Sequence, residues 1–286
     1  MEQQKKGKSS REEISKWEAL SSQLESREDY LYPRLTLVVC TYNCAQSIGF
    51  TLENILSQKY VDLEIVVVDA SSIDRTMKIV KGFHRSISRI YTVTDYNMYE
   101  MMNRGISLAS GKYIHFFFPG DYYISQDSLG HMMRLALDND CPDLVYCGCV
   151  LRGENKEPRV LLRPICLDIL SKGKQLTSIQ SCWFRVDTLR RIGKFDSRYA
   201  LRGGFDLLCR LCLRKNIKMA TSHCVLTDYD RMGFSSSLVF RYSKETFFII
   251  YRHFGLFSAF KWWMFHNHFY FIKWCLKKIK DIFVGR

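Results

Sequence analysis

Between residues 35 and 118 the chain repeats one pattern: a short apolar, β-branched run, then a turn, then a stretch with helical spacing. LTLVVC (35–40) and LEIVVVDA (63–70) lack the polar alternation of strands with one wet face, which suits strands covered on both sides. Between them, Ile48, Leu52, Ile55 and Leu56 fall on one side of a helix over 45–58. The alternation continues with a helix over 73–83, a strand SRIYTVT (88–94), a helix over 98–109 and a strand KYIHFFF (112–118). Gly111 reads as a left-handed cap closing the helix before that strand. A helix near 126–138 and a strand at 143–150 follow, and further on a helix over 203–214 and a strand over 217–227. Strands alternating with helices of this length predict a Rossmann-like α/β fold, its sheet mainly parallel with helices on both faces. In such sheets ligands collect beyond the carboxyl ends of the strands. That rule selects Cys40-Thr41-Tyr42, Asp69-Ala70-Ser71, Thr94-Asp95 and Pro119-Gly120-Asp121.

Two of these positions point to chemistry. Asp69 ends an all-apolar run, where a carboxylate must find donors or emerge into a cleft. Asp121 follows FFFPG at another strand end. A carboxylate at the end of the first half-sheet can accept hydrogen bonds from a base or ribose. A hard cation bridging a diphosphate needs one or two carboxylates and keeps several waters. Each aspartate alone reads equally well as a turn or cap residue; their order along the strands favours a site. A dinucleotide oxidoreductase is disfavoured, because no G-x-G-x-x-G follows the first strand and the chain there reads CTYNCAQ.

The runs LTLVVCTYN (35–43), VVVDASSIDRT (66–76), YEMMNRGISLASGKYIHFF (99–117), PGDYY (119–123) and SIQSCWFRVDTLRRIGKFDSRYALRGGFDLLCRL (178–211) together resemble glycosyltransferase family 2, the GT-A nucleotide-diphosphosugar transferases. The resemblance covers roughly residues 34–237. It implies a metal-assisted, inverting transfer of a sugar from a nucleotide-diphosphosugar, expected to be a UDP-sugar, to a glycan or lipid-linked acceptor in polysaccharide synthesis, with Mg²⁺ or Mn²⁺. Thr41 and Tyr42 match residues that close around the base, Asp69 the carboxylate that contacts the nucleoside, and Asp74 the acid of the following turn. Asp95 matches a contact to nucleotide or sugar, Asp121 the last aspartate of the metal-binding motif, and Asn103 and Gly105 the helix behind the donor pocket. Gln180 and Trp183 fall in the acceptor-side strand, and Asp206 and Arg210 in the helix after the base position. The chain departs from the family at three positions. Gly120 stands where a second acid is common, Gly204 where the catalytic aspartate is usual, and Asn97 where a glycine often precedes the donor-pocket helix. The base that inverting transfer requires is therefore expected from Asp206, Asp95 or Asp196.

The charge of the chain is concentrated at one end. The net charge is +13, and from Arg241 onward nine Lys/Arg face two Asp/Glu among fifteen aromatic residues. No uncharged apolar run there reaches the ~18–20 residues needed to cross a bilayer. A pair of interfacial helices fits, with Trp262, Trp263 and Trp274 at headgroup depth and Lys277, Lys278 and Lys280 toward anionic lipid; aromatics packed back on the domain are the competing reading. The expected organisation is a polar arm over 1–32 with a short helix opened by Ser10 and Glu13, a GT-A domain over 33–238, and an aromatic, basic helical appendage over 239–286. MEQQKKGKSSREE is charged with no apolar segment behind it, so the expected location is the cytoplasm, peripheral at the inner membrane face. The eleven cysteines are scattered and odd in number, which favours buried thiols over disulfides or a zinc site at Cys209-x-x-Cys212. Two other function classes remain beside the enzyme: a relative that binds nucleotide or glycan without transfer, motivated by Gly120 and Gly204, and a nucleic-acid-binding protein, motivated by the basic tail. The membrane is preferred as the tail's partner, with no nucleic acid expected.

Overall fold

A computed structural model describes residues 32–153, 156–162, 164–174, 178–231 and 236–284. The expected helix in the polar arm lies outside the described residues. Among the described residues, the chain from Pro33 onward packs as one compact unit. Its first half runs β1 (Leu35–Thr41), α1 (Ile48–Leu56), β2 (Leu63–Asp69), α2 (Thr76–Gly82), β3 (Arg89–Thr92), α3 (Met98–Leu108) and β4 (Tyr113–Phe117). The second half adds β5 (Tyr122–Tyr123), α4 (Ser128–Asp138), β6 (Leu144–Gly153), β7 (Lys156–Leu161), α5 (Leu167–Ser171), β8 (Cys182–Arg185), α6 (Val186–Ile192), α7 (Gly203–Cys212), β9 (Met219–Arg231) and α8 (Ser236–Val284).

One sheet joins these strands in the order β3-β2-β1-β4-β8-β6-β9-β5, with β7 on β6. The strands β3, β2, β1 and β4 are parallel, as the doubly covered runs require. Every residue of β1 and β4 is buried. The second half is mixed, because β8 runs antiparallel to both β4 and β6 while β9 pairs parallel with β6. That reversal carries the chain from 178–185 back across the carboxyl end of β4, a placement that apolar periodicity does not encode.

Gly111 departs from its expected role. The helix before it ends at Leu108 with Ala109 extended (φ −62°, ψ 131°), and Gly111 is not among the residues with positive φ. The glycine is required by proximity instead: a Cβ there would stand 2.7 Å from the Thr36 nitrogen and 2.8 Å from the Arg34 carbonyl. Gly105 acts similarly, since a Cβ would meet the Val38 side chain at 2.5 Å, and α3 can therefore lie close on β1.

The C-terminal helix α8 is interrupted at Gly255, whose φ of 83° and ψ of 169° are open to glycine and costly for other residues. Its inner face packs on the domain, with Ile249, Ile250, Ala259 and Trp262 buried. Outward stand Phe240, Phe248, Tyr251, Leu256, Phe257, Phe260, Trp263, Met264 and Phe265. Packing back thus describes one face of this helix and leaves the other aromatic and exposed. Glu245 fixes the first segment: its carboxylate accepts the backbone N–H groups of Ala200, Leu201 and Arg202, each at 2.9 Å. No helix among the described residues is long and apolar enough to cross a membrane. Every cysteine among the described residues is free, and burial pushes the Cys212 thiol up to about 11. Replacing Glu245→Ala leaves three N–H donors without their carboxylate and should cost about 2–4 kcal/mol, measured as a lower midpoint in chemical denaturation.

Candidate active site

At the carboxyl edge of the parallel strands, Thr41 is the register partner of Asp69. The Asp69 side chain is 1% exposed. It accepts hydrogen bonds from Thr41 Oγ1 at 2.7 Å, Ser72 Oγ at 2.6 Å and the Ser72 N–H at 2.8 Å. A carboxylate offers about four lone-pair sites, so the protein occupies three and leaves capacity for one incoming donor. The two loops beyond β1 and β2 are stitched together. Asn43, left-handed at φ 43°, donates its N–H to Ser72 Oγ and accepts from the Ile73 N–H with Oδ1. The Cys44 N–H donates to Thr76 Oγ1. Asp74 accepts from the Ala45 N–H at 3.1 Å and the Thr76 N–H at 2.9 Å, chiefly through Thr76 holding its carboxyl below the usual range. Asp74 therefore braces the rim.

Two aromatics stand open on this rim. Tyr42 and Tyr96 are 46% and 61% exposed, with ring centroids 5.0 Å apart and planes tilted by 34°. Exposed Asp95 precedes Tyr96, so the rim unites Thr41, Tyr42, Asp69, Asp74 and Asp95. Asn97, where a glycine is common, caps α3 by accepting from the Tyr99 and Glu100 N–H groups and donates to the Ser197 carbonyl at 3.0 Å. Asn103 forms a two-way amide clamp on Phe195, at 2.8 Å in each direction, a packing role.

Asp121 lies in a second corner. It is 3% exposed, and it accepts from the Phe118 N–H at 3.0 Å and from the Gln180 side chain. Burial raises its pKa to about 8, against the opposing hydrogen bonds and the charge of Arg152. The corner is assembled from distant strands. Arg152 of β6 donates to the Gly120 carbonyl at 2.8 Å and to Asp228 of β9 at 2.5 Å, and Asp228 is the register partner of Tyr122. Behind Gln180, buried His115 donates Nε2–H to the Gln180 carbonyl at 2.9 Å, leaving Nδ1 to accept from the Tyr123 hydroxyl at 2.6 Å. Burial lowers its pKa to about 3, so it is neutral, and it stacks on Trp183 with centroids 4.1 Å apart. Arg152, Asp228 and His115 belong to no local motif, and the sequence reading did not single them out. Only the apolar flanks of His115 on KYIHFFF mark an oddly placed polar residue.

The remaining acids are placed differently. Asp206 on α7 is 0% exposed, with one oxygen taken by Arg210 Nε at 2.8 Å and the other by His253 Nε2 of α8 at 2.8 Å. Arg210 also donates to the carbonyls of Ile192, Gly193 and Lys194, tying α7 to the end of α6. Asp206 is thus not brought to the rim that holds Asp69. Hydrogen bonds from Arg198 hold Asp196 down at about 2. At Gly204, a Cβ would strike the Ile179 side chain at 2.5 Å, so the space an acid would need is filled. Among the described residues no group of three His, Cys, Asp or Glu side chains forms a metal cluster. Asp228 is tied through Arg152 to the Gly120 carbonyl next to Asp121, and the Cβ position at Gly120 is open to 4 Å.

The family model described as Glycosyl transferase family 2 matches residues 36–195. The chain belongs to this family. It is a glycosyltransferase. A PGL/p-HBAD biosynthesis glycosyltransferase of Mycobacterium bovis (strain BCG) is 26% identical over 218 residues, spanning 72% of this chain and 80% of that protein. An uncharacterized glycosyltransferase, EpsJ, of Bacillus subtilis is 26% identical over 194 residues, spanning 62% and 56%. Among solved structures, S. aureus TarS 1–349 in complex with UDP superposes with a TM-score of 0.60 at 16% identity, covering 77% of this chain and 66% of that one. The mannosyltransferase PcManGT from Pyrobaculum calidifontis, in complex with GDP-Man and Mn²⁺, gives 0.58 at 20%, covering 78% and 65%. The chain thus spans just under two thirds of both solved structures. These likenesses establish the fold, which is GT-A, with the mixed α/β sheet described above.

Two measurements test the site's electrostatics and packing. The raised pKa of Asp121 means that the folded protein holds its proton more tightly than the unfolded chain, so its contribution is complete at acid pH and is lost as pH rises through about 8. Asp121→Asn should therefore raise Tm by several degrees well above pH 8, with the gain vanishing near about pH 4. Gly204→Asp should cost about 1–3 kcal/mol by overpacking, recover part of that loss when combined with Ile179→Ala, and bring no gain in transfer rate.

Proposed function

We propose that the protein transfers a sugar, with inversion, from a nucleotide-diphosphosugar, a UDP-sugar, to a hydroxyl of a glycan or lipid-linked acceptor in polysaccharide synthesis. The observation that supports it most directly is the donor rim, where a buried carboxylate with one free acceptor site stands beside an open aromatic pair. In this reading Tyr42 and Tyr96 receive the base by stacking, and Thr41 orients Asp69 to accept from the base or ribose. Asp74 holds the two loops at the spacing the nucleotide needs. The TarS structure with UDP and the PcManGT structure with GDP-Man and Mn²⁺ belong to proteins of the same fold and add to this assignment.

A Mg²⁺ or Mn²⁺ ion suits the chemistry of the second corner. Asp121 would hold it, with Asp228 as the nearest further carboxylate and diphosphate oxygens and water completing its shell. When bound, such an ion neutralises charge on the departing diphosphate. Arg152 adds a fixed positive charge beside the Gly120 carbonyl. The acceptor proton goes to Asp95, the exposed rim carboxylate, rather than to Asp206, which is fully buried between Arg210 and His253. Asp206 then positions α7 against α8.

The division into a catalytic domain over 33–238 and an appendage over 239–286 is part of this proposal. The appendage associates peripherally with an anionic membrane at the inner face through the exposed aromatics of α8, and the protein works on the cytoplasmic side. Calorimetry with UDP and Mn²⁺ should give saturable binding, and UDP-sugar should be turned over. Binding without hydrolysis or transfer would overturn catalysis, and absence of nucleotide binding would overturn the whole reading. Tyr42→Ala should weaken UDP binding about tenfold through lost stacking. Asp95→Asn should lower kcat by about 10²-fold or more while UDP affinity changes only a few-fold.

A further inference from the structure

A concave feature separate from both corners lies where α8 meets the loop over 196–202. It is an open cleft of about 580 Å³ whose lining includes four cations, Arg198, Arg241, Lys244 and Arg252. Two carboxylates stand against them. Arg198 grips Asp196 with Nε at 2.9 Å and a terminal nitrogen at 2.7 Å, and Arg252 reaches the same Asp196 at 3.3 Å. Arg252 is held further by the Tyr199 hydroxyl. The other acid, Glu245, lies 3.8 Å from Arg241 and also accepts the backbone N–H groups of residues 200–202, so two negative charges stand against four positive ones. Lys244 has no carboxylate within ion-pair distance among the described residues. The cleft therefore holds a preorganised excess of positive charge, close to what a phosphate monoester carries in the opposite sense.

Its shape on the helix adds a second constraint. Arg241, Lys244, Phe248, Tyr251 and Arg252 recur at helical spacing on one stripe of α8, while Ile249 and Ile250 face inward. Phe248 and Tyr251 each leave half their surface in the open while lining the cleft. Beyond Gly255 the exposed series continues through Phe257 at 82% and Phe265 at 76%. A soluble phosphate compound has no use for such an apolar shoulder. A lipid bearing a phosphate does, because its acyl boundary accepts the aromatics while its headgroup needs the cations.

We propose that this cleft seats the phosphate headgroup of an anionic membrane lipid, fixing the position of α8 at the bilayer surface. The proposal rests on the membrane association proposed above and adds to it a specific seat. Arginine forks and an ammonium are the groups that recognise phosphate oxygens, and the grip of Asp196 on two of the arginines keeps them in place before the lipid arrives.

The test is co-flotation of the full chain with phosphatidylcholine vesicles, with and without phosphatidate. Stronger binding to the phosphatidate vesicles is expected. Arg241→Ser with Lys244→Ser should remove that preference, a loss of roughly ten- to thirtyfold, while binding to phosphatidylcholine persists. A charge-matched control on α2, Lys78→Ser with Lys81→Ser, should leave the preference in place. Equal loss in both pairs would mean generic attraction and overturn the seat. Equal binding of the native chain to both vesicles would overturn the seat and leave membrane association standing, whereas no binding to either would overturn both. Inorganic phosphate at the same phosphate concentration should not displace the protein from phosphatidate vesicles; full displacement would assign the cleft to a soluble phosphate and overturn the lipid. Unchanged calorimetric UDP binding by the Arg241/Lys244 double variant guards against misfolding. Loss of both UDP binding and the lipid preference would move the test to Lys244→Ser alone, for which an unaltered preference overturns the seat.

Discussion

The register of β1 against β2 is the constraint on which the donor rim depends. It sets Thr41 beside Asp69 at the point where two strands end in the buried core, and the 2.7 Å hydrogen bond between them gives the carboxylate its first partner. A carboxylate in that position without donors would be costly; with three it is stable and directional. Everything else on the rim follows from holding these two strand ends level. Ser72 can return to Asp69, Asn43 can bridge to Ser72 and Ile73, and Asp74 can reach Ala45 only when the loops start from adjacent points. A slip of one residue would exchange the faces of β1 and lose the whole set.

The Asp121 corner is built by the opposite strategy. Its groups come from five places: the end of β4, the segment before β8, and strands β5, β6 and β9. Antiparallel β8 brings Gln180 over the strand end, and the pairing of β5 with β9 sets Asp228 opposite Tyr122. Burial disfavours the charge on Asp121, and the Phe118 N–H, Gln180 and Arg152 only partly offset it. The neutral, stacked His115 keeps Gln180 in place without adding a charge of its own. A corner left short of positive charge in this way favours an incoming cation, which is why the metal proposal attaches here and not at the well-satisfied Asp69.

These two strategies also explain what the sequence disclosed. The parallel half was legible because β1, β2 and β4 are mostly apolar runs and the ends of β1, β2 and β3 lead directly into polar residues. Thr41, Tyr42, Asp69 and Asp95 all lie within a few residues of such an end. Asp121 was legible as a position, but its partners Arg152 and Asp228 lie on strands that neighbour it only through tertiary pairing. Two-residue β5 is too short to leave a pattern at all. Asp206 shows the reverse case. Its alignment next to the usual base position suggested chemistry, yet His253, 47 residues further on, closes over it, and helical phase already turned it away from position 204. Gly111 was read through its residue type as a backbone cap, when its missing side chain was the relevant property.

That same His253 contact makes α8 more than an attached tail. Glu245 caps the chain entering α7, Arg202 lies between the rings of Phe205 and Tyr242 at 4.0 and 4.5 Å, and His253 meets Asp206. Trp262 fills the space over Gly173, where no Cβ would fit. The first three of these anchors connect one helix to the segment over 200–206, where Gly203 and Gly204 are pressed against Tyr99 and Ile179, and the fourth ties it to Gly173. Tight packing at that point leaves no room for a side chain to reach out, and the region is a mechanical joint between α7 and α8. With α7 locked on its inner face, the described part of α8 leaves its cationic stripe and its aromatic outer face for contact. Any surface it meets is therefore held in fixed relation to α7 and, through Asn97 and Asn103 on the 195–197 backbone, to the helix that borders the donor rim.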